Sequence, residues 1–282
     1  MLMLYRLIKY ILFPSGLVFL ALLVWAFYIE PSSLTTKTYE VAVRSWPTSC
    51  DRLKVAVIAD LHIGSPFYGI EKLVDVVDAV NQSKPDLILI AGDFVITGVL
   101  GGRFVAPEPI AQELGKLTAN LGVFAVLGNH DWMYDADRVR QSLLTVGISV
   151  LEDDSVQIDN GRCQFWLVGI SDYWEGSHDI DKGLRDVPTT GSVIALTHNP
   201  DVFVDIPDQV SMTFAGHTHG GQVNLPFIGR PLIPSRYRQR FAVGHIEENG
   251  RHLFVSPGLG TSIFPIRFRV PPEISLVILR GG

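Results

Sequence analysis

The hydrophobic pattern divides the chain into one long apolar segment near its start and a series of shorter ones. Residues 11–29 carry no charged side chain over nineteen positions, close to the ~20 apolar residues that span a bilayer. Arg6 and Lys9 precede this segment, and an aromatic group that begins at Trp25 lies near its far end. The pattern predicts a transmembrane helix with its N-terminus in the cytoplasm and the rest of the chain outside.

A cleaved signal peptide is the alternative interpretation of this segment. Its apolar core is long for a signal peptide, and Phe27 and Tyr28 occupy the place where small residues would mark a cleavage site. We therefore expect a retained anchor over residues 1–30. A linker and the first strand of the domain should follow over 31–51, and one domain should occupy 52–282.

Within that domain, short β-branched runs alternate with segments of helical spacing. A buried run bounded by turn residues is typical of a strand between helices in an α/β sheet. Asp135 is a suitable N-cap for the third helical segment. Strands are predicted at 53–59, 85–91 and 122–127, and helices at 68–82, 106–119 and 135–146.

Beyond residue 150, strand patterns dominate. A polar turn at 159–161 separates two of them and favours a hairpin. The pattern as a whole predicts a four-layer α/β sandwich, in which two mixed sheets pack together with helices outside. The further strands are predicted at 156–158, 164–170, 191–197, 210–215, 241–245, 252–255 and 274–279.

Side chains of the kinds that bind metals follow five of these strands. Functional groups in α/β proteins gather beyond the carboxyl ends of the strands. One such side chain alone would be unremarkable, since a strand-end Asp usually caps a turn and a lone His is usually structural. Seven together at one sheet edge indicate a metal site. They are Asp60, His62, Asp93, Asn129, His198, His217 and His219.

The donor set has the composition of a two-metal centre. Four imidazoles, two carboxylates and one amide, without a thiolate, favour Mn²⁺, Zn²⁺ or Fe over Ca²⁺ or Mg²⁺. Two ions held ~3.5–4 Å apart need a shared ligand, and a carboxylate can give one oxygen to each. Asp93, in the middle of the set, is the expected bridge. Gly220 and Gly221 should turn the chain sharply after His219, and alternation along extended chain should point His217 and His219 into one space.

The same blocks resemble the signature of the calcineurin-like metallophosphoesterases. The resemblance extends in order and spacing from Leu53 to the C-terminus, and further motifs resemble the bacterial membrane-anchored branch of that family. Some relatives in that branch are phosphodiesterases or hydrolyse UDP-diacylglucosamine. The matching blocks are Asp60-x-His62, Gly92-Asp93, Gly128-Asn-His-Asp131, His198, Gly216-His-Thr-His-Gly-Gly-Gln222, Gly258-Leu-Gly-Thr261 and the run from Pro265 to Ile274.

This resemblance implies roles for the candidate residues. One metal would take Asp60, His62 and His219, the other Asn129, His198 and His217, with Asp93 between them. A metal-activated hydroxide would attack phosphorus in line.

Two further residues would assist the reaction. His130 would protonate the leaving oxygen or stabilise transition-state charge, and Asp131 would accept a hydrogen bond from His130 and raise its pKa. The expected function is a binuclear metal-dependent phosphodiesterase acting on a phosphoester substrate.

Two other functions remain open at this point. A pyrophosphohydrolase of the UDP-2,3-diacylglucosamine type would suit an enzyme at the membrane with a lipid-linked substrate. A non-catalytic scaffold would be expected to have lost ligands, whereas all seven are present. Nucleic-acid binding is not expected, because the net charge is −6 and no basic stripe carries interleaved aromatic residues.

The remaining features suggest less. Cys50 and Cys163 fit no metal-binding spacing, and nothing in their spacing brings them together, although they could pair outside the cytoplasm. The apolar segment 100–105 is a candidate loop at the site mouth. Four arginines after the histidine motif form either a solvated loop or a contact for phosphate or lipid headgroups. They are Arg230, Arg236, Arg238 and Arg240, and the histidines read as structural or solvated are His178, His245 and His252.

Overall fold

A computed structural model describes residues 8–44 and 46–281. The apolar segment forms one helix, α1 (Lys9–Ser32), which is 24 residues long with a mean hydropathy of 2.2. π-Helical turns at Ile8–Leu12 and Trp25–Ile29 flank its α-helical centre, Phe13–Val24. By length and composition this helix could cross a membrane. Only 6% of its most apolar 18-residue stretch is buried, so most of it has no protein around it. The predicted apolar helix is confirmed.

The first sheet has six strands in the order β1-β12-β2-β3-β4-β5. β2 to β5 are parallel to one another, and β12 runs antiparallel to β2. The edge strand β1 pairs in parallel with β12. The strands are β1 (Thr35–Val43), β2 (Leu53–Ile58), β3 (Leu87–Ala91), β4 (Val123–Val126), β5 (Ser149–Val150) and β12 (Glu273–Gly281).

The second sheet also has six strands, in the order β10-β11-β9-β8-β7-β6. Its centre, β11-β9-β8-β7, is parallel, and the antiparallel strands β6 and β10 form its edges. The hairpin predicted around residues 159–161 is confirmed as β6 and β7. The strands are β6 (Asp154–Asp159), β7 (Gln164–Ile170), β8 (Val193–Thr197), β9 (Val210–Ala215), β10 (Gly244–Glu248) and β11 (Arg251–Val255).

Helices cover the outer faces of both sheets, which confirms the predicted four layers. Longer helices pack on the first sheet, whereas short helical turns pack on the second. One buried apolar cluster fills the space between the sheets, and each helical layer covers a further cluster on the outer face of its sheet. The helices are α2 (Ile70–Ser83), α3 (Pro107–Leu114), α4 (Asn129–Thr145) and α5 (Ile180–Gly183), with 3₁₀ turns at Thr48–Cys50, Pro200–Val204, His219–Gly221 and Arg238–Phe241.

Several predicted boundaries are wrong for identifiable reasons. α4 begins at Asn129 rather than Asp135, and at Asp135 the backbone is extended (φ −173°, ψ 88°). The Asp135 carboxylate accepts a hydrogen bond from the Arg138 N–H at 3.1 Å, so it caps the helix from within this longer element. The strand predicted at 241–245 begins only at Gly244, because a 3₁₀ turn precedes it.

Cys50 and Cys163 form a disulfide, with 4.8 Å between their Cα atoms. Cys50 closes a 3₁₀ turn just before β2, and Cys163 lies just before β7. The sequence left this pairing open, and their spacing gave no sign of it, because the pairing depends on stacking the two sheets. The bond ties the sheets together where β2 and β7 begin.

The end of α1 is packed on the domain. Glu30 is 5% exposed, and its carboxylate accepts a hydrogen bond from the backbone N–H of Val270 at 2.5 Å. The Arg267 backbone N–H donates to the carbonyl of Ala26 at 2.9 Å. These contacts fix the direction in which the domain leaves the helix.

Candidate metal centre

The seven predicted ligands meet at one edge of the two sheets. Asp60 and His62 follow β2, Asp93 follows β3 and Asn129 follows β4, while three histidines follow β8 and β9 of the second sheet. Each side is therefore supplied by neighbouring parallel strands. All seven are buried, none more than 5% exposed.

Five of the seven have left-handed backbone conformations, with φ of 50° at Asp60, 41° at His62, 57° at Asp93, 70° at His217 and 50° at His219. Residues other than glycine rarely adopt this backbone conformation, which costs about 1–3 kcal/mol per residue. Such strained residues concentrate at functional sites. The expectation that extended alternation aligns the last two histidines is wrong. Tight turns orient them instead, with positive φ continuing through the two glycines that follow, as predicted for those glycines.

The first group of candidate ligands contains Asp60, His62, Asp93 and His219, whose ligand atoms all lie within 4.8 Å of one another. His62 Nε2 is 3.1 Å from His219 Nε2 and 3.3 Å from Asp93 Oδ2. His219 Nε2 is 3.7 Å from Asp60 Oδ1. These atoms surround one point beneath the surface.

The second group contains Asn129, His198 and His217. Asn129 Oδ1 is 3.1 Å from His198 Nε2 and 3.0 Å from His217 Nδ1, and these two nitrogens are 3.1 Å apart. Asp93 Oδ2 is 3.3 Å from His198 Nε2 and, at the same distance, from His62 Nε2 in the first group. Asp93 therefore lies between the groups, as a bridging ligand would.

The donor atoms fit a bound cation. The His198 Nδ1 atom is 2.6 Å from the Ala91 carbonyl, which only accepts hydrogen bonds, so the proton of neutral His198 is on Nδ1. Its Nε2 atom then carries a lone pair that faces Asn129 Oδ1 and Asp93 Oδ2. All three atoms are acceptors, so no hydrogen bond can form among them. Ligands about 2.0–2.2 Å from one ion lie about 3.0–3.5 Å apart, the spacing seen here. A divalent ion would satisfy these lone pairs.

The electrostatics of the buried site point the same way. Burial alone would lower the pKa of His198, but the Asp93 carboxylate beside it holds that pKa well above its ordinary value. Burial likewise tends to raise the pKa of Asp93, and His198 reverses this. Burial lowers the pKa of His217 and His219, which keeps both imidazoles neutral. The raised pKa of His198 shows that Asp93 attracts positive charge to this position. A bound cation would supply that charge in place of the proton and leave His198 neutral, as a metal ligand must be.

His130 lines the same site, but its predicted pairing with Asp131 is wrong. Asp131 is fully buried, and its carboxylate accepts backbone N–H bonds from Asp93, Phe94, Val95 and Gly128 at 2.9–3.2 Å. It therefore clamps the loop after β3 to the start of α4.

The partner of His130 is Thr97, whose hydroxyl pairs with Nδ1. Burial lowers the pKa of His130 to about 4, opposite to the predicted direction, so the ring is neutral at physiological pH. Sequence reasoning missed Thr97, because nothing in its position four residues after Asp93 marks it.

Close backbone approach explains two of the glycines. A Cβ atom on Gly128 would lie 2.2 Å from Asp93 Oδ1, and one on Gly258 would lie 2.6 Å from Asp60 Oδ2. The segment around Gly258 is held by the fully buried Arg267, whose guanidinium donates to the carbonyls of Pro257, Gly260 and Val270 at 2.6–3.1 Å. Arg267 thus links the wall behind Asp60 to the end of α1.

The site opens into a cavity of about 560 Å³. One end of the cavity is made of candidate ligands and His130, and the rest is mostly apolar, with residues 231–234 on one side and Ile263, Phe264 and Ile266 on another. Segment 100–105, expected at the mouth, does not line this cavity, although the Leu100 N–H donates to the Ile263 carbonyl on its rim.

Trp174 is a further lining residue that sequence reasoning missed. Its ring packs edge-on against His217, with 4.2 Å between ring centres. Asp172, which is fully buried, accepts the backbone N–H bonds of Trp174 and Glu175 and so shapes this loop. The loop follows β7, and the strand-end logic that found the ligands would have found it too.

The basic loop and the other histidines are largely engaged elsewhere. Arg240 pairs with Glu248 through Nε at 2.7 Å and Nη2 at 2.5 Å, and Arg236 donates to the Tyr173 hydroxyl. His245 and His252 stack on each other away from the site. His178 packs against the ring of Tyr173.

Comparison with known proteins agrees with this geometry. The model of the calcineurin-like phosphoesterase family matches residues 53–221. The chain belongs to this family of metal-dependent phosphohydrolases.

The alignments with three relatives cover most of this chain and most of each relative. The chain is 30% identical to the uncharacterized metallophosphoesterase YkuE of Bacillus subtilis, over 91% of this chain and 89% of the relative. It is 30% identical to the phosphodiesterase YaeI of Escherichia coli, over 80% and 82%. It is 27% identical to the UDP-2,3-diacylglucosamine pyrophosphatase LpxG of Chlamydia trachomatis, over 90% and 92%.

Proposed function

We propose that this chain is a membrane-anchored phosphodiesterase with two divalent ions and an active site outside the cytoplasm. The observation that carries the proposal is the position of Asp93 Oδ2, 3.3 Å from a nitrogen of each ligand group. When bound, two such ions lower the pKa of a water molecule and offset charge on phosphoryl oxygens. Asp60, His62 and His219 would hold one ion and Asn129, His198 and His217 the other, with Mn²⁺, Zn²⁺ or Fe suited to these donors.

His130 supplies the remaining group that hydrolysis needs. A bond forms from water oxygen to phosphorus, the bond from phosphorus to the leaving oxygen breaks, and that oxygen needs a proton. When the Thr97 hydroxyl donates its hydrogen bond to Nδ1, the neutral His130 ring holds its proton at Nε2. A neutral imidazole is too weak an acid to release its N–H proton, so the proton for the leaving oxygen comes from the attacking water. We assign Nε2–H as a hydrogen-bond donor that stabilises charge on the leaving or phosphoryl oxygen. Asp131 is assigned to positioning Asp93 and the start of α4.

Two observations support the location. The disulfide is typical of proteins folded outside the reducing cytoplasm. The packing of Glu30 and Ala26 against the domain gives the end of α1 a structural role, which favours a retained anchor over a cleaved signal peptide. Both agree with the excess of basic residues before α1.

The test uses the full-length chain in lipid nanodiscs with Mn²⁺. An aryl phosphodiester, an aryl phosphomonoester and UDP-2,3-diacylglucosamine are compared, and bound metal is measured by mass spectrometry. We expect two ions per chain and turnover of the diester well above the monoester, lost with a chelator and restored by Mn²⁺. Two bound ions without diester turnover would contradict the proposal.

The lipid pyrophosphatase is the second candidate, favoured by the apolar cavity beside the metal centre. Rapid release of UMP from UDP-2,3-diacylglucosamine, with slow diester turnover, would establish it. That result would also place the domain in the cytoplasm, where this nucleotide is made available, and would conflict with the disulfide.

A further inference from the structure

The cavity beside the metal centre is built for an apolar ligand segment. Of its roughly 560 Å³, within the ~300–1,000 Å³ of small-molecule sites, only the metal end is lined by ionisable groups. The other walls carry Leu232, Ile233, Phe264 and Ile266. A phosphoester bound at the metals would therefore lay one substituent along an apolar surface.

The apolar wall at 262–266 is bonded to the histidine turn before any ligand binds. The Gln222 amide donates to the Ser262 carbonyl at 3.1 Å, and its Oε1 accepts the Ser262 N–H at 2.7 Å. Gln222 lies directly after the histidine turn, so the same short segment sets both the metal ligands and the cavity wall. The cavity is preformed, which favours binding of an extended chain without a large ordering penalty.

The rim of the cavity exposes large apolar side chains. Leu232 and Ile263, which line the cavity, are 77% and 65% exposed, and Phe227 and Ile228, in the turn that precedes residues 231–234, are fully exposed and 70% exposed. Several large apolar side chains exposed around one opening are typical of an interaction or membrane surface. Exposure of these side chains to water costs free energy, which contact with the acyl chains of a bilayer would remove.

The rim lies beside the point where α1 joins the domain. The Asn224 N–H donates to the Phe268 carbonyl at 2.9 Å, and the preceding residue, Arg267, donates its backbone N–H to Ala26 of α1. Ile266, which lines the cavity, directly precedes Arg267, so this wall lies next to the residue that contacts the anchor helix. A bilayer that contains α1 would meet this rim.

We propose that the cavity binds an acyl chain of a phosphodiester lipid drawn from the bilayer that holds α1. This inference rests on the proposed function and adds the substrate class. The phosphate would lie at the metal end, against His130, and the chain would run between the two loops toward the membrane.

The first test measures chain length. p-Nitrophenyl alkyl phosphodiesters from methyl to octyl are hydrolysed by the full-length chain in nanodiscs with Mn²⁺, releasing nitrophenol and the alkyl phosphate. We expect kcat/KM to rise by about two- to fourfold per added methylene until the cavity is filled. Leu232→Asn combined with Ile263→Asn should bring the octyl-to-methyl ratio toward one. Both side chains are mostly exposed, so the fold should tolerate the change.

Leu144→Asn is the matched control, because Leu144 is a 45% exposed leucine near the far end of α4. Its octyl-to-methyl ratio should equal that of the unmodified chain in the same discs, which corrects for partitioning of the substrate into lipid. A flat chain-length profile with measurable methyl ester turnover would overturn this inference and leave the proposed function standing. No turnover of any ester by the metal-loaded chain would mean that the proposed function fails.

The second test identifies the source of the chain. A fluorescent long-chain phosphodiester lipid is placed either in the discs that carry the protein or in separate discs. We expect at least tenfold faster hydrolysis in the shared discs. Equal rates would show that the ligand arrives through water, and the bilayer origin would be wrong.

Discussion

The two opposite edges of the sheet pair are built by different means. At the carboxyl edge, seven buried polar side chains converge, and five of them have strained left-handed backbones. At the amino edge of β2 and β7, the Cys50–Cys163 bond ties the sheets together, with Trp46 packed beside it against Phe165. Buried polar side chains on left-handed backbones are thus grouped at the edge that holds the candidate ligands, and a covalent tie holds the opposite edge.

This division means that changes at the two edges should have separable effects. Substitutions at the carboxyl edge should change metal content and turnover, and substitutions at the amino edge should change stability alone. The predictions below test that separation.

Asp93→Asn should have the largest effect. An amide cannot bridge two cations as a carboxylate does, so we expect loss of at least one ion and a fall in turnover of about 10³-fold or more, since metal ions contribute several kcal/mol. Metal analysis and diester kinetics measure both. Asp137→Asn on the exposed face of α4 is the control, where the surface ion pair with Arg140 should matter little. Retention of two ions by Asp93→Asn would rule out the bridge.

His130→Ala should reduce kcat by about 10²–10⁴-fold with metal content unchanged. Since burial lowers the His130 pKa to about 4, the ring should be neutral from pH 5.5 to 8, and the ratio of wild-type to variant kcat should stay constant there. A ratio that rises toward acid would mean that protonated His130 is the active form. Loss of metal in this variant would refute the assigned role, and His245→Ala serves as the histidine control outside the site.

Asp131→Asn should weaken the clamp on the loop after β3. One carboxylate oxygen becomes an NH₂ that faces backbone N–H donors, and hydrogen bonds to a charged group are worth about 1.5–3 kcal/mol each. We expect destabilisation of about 3 kcal/mol or more and weaker metal binding, measured by denaturant unfolding and by metal titration. An unchanged metal affinity would show that Asp131 acts only on stability and does not position Asp93.

Cys50→Ser combined with Cys163→Ser should lower the free energy of unfolding by about 2–5 kcal/mol, as expected for a crosslink over 113 residues. Metal content and kcat of the folded fraction should not change, because no candidate ligand lies at that edge. A fall in metal content at a temperature where the variant is fully folded would contradict the separation of the two edges.

The carboxyl edge, the four layers and the apolar helix were predictable from the sequence, whereas contacts between distant segments were not. Buried β-branched runs and the residues that end them identify strands and site together, which is why Asp60 and His217 could be recognised without a structure. The Cys50–Cys163 pairing and the apolar cavity depend on how distant segments pack. Residues 231–234 have no periodic pattern that could predict a cavity wall. They form one only because residues from 262 to 266 line the same cavity. The role of Asp131 was mistaken because adjacency to His130 in sequence does not place the two side chains together.

Only Ser33 and Leu34 separate α1 from β1, and Ser33 itself is held by the Tyr68 hydroxyl, which donates to its carbonyl at 2.8 Å. The domain therefore has no flexible stalk. For an enzyme anchored in this way, the catalytic centre stays at a set height above the lipid, and encounters with substrate occur by lateral diffusion in two dimensions. Turnover would follow the mole fraction of substrate in the leaflet, and dilution of the surrounding solution would leave the rate unaltered.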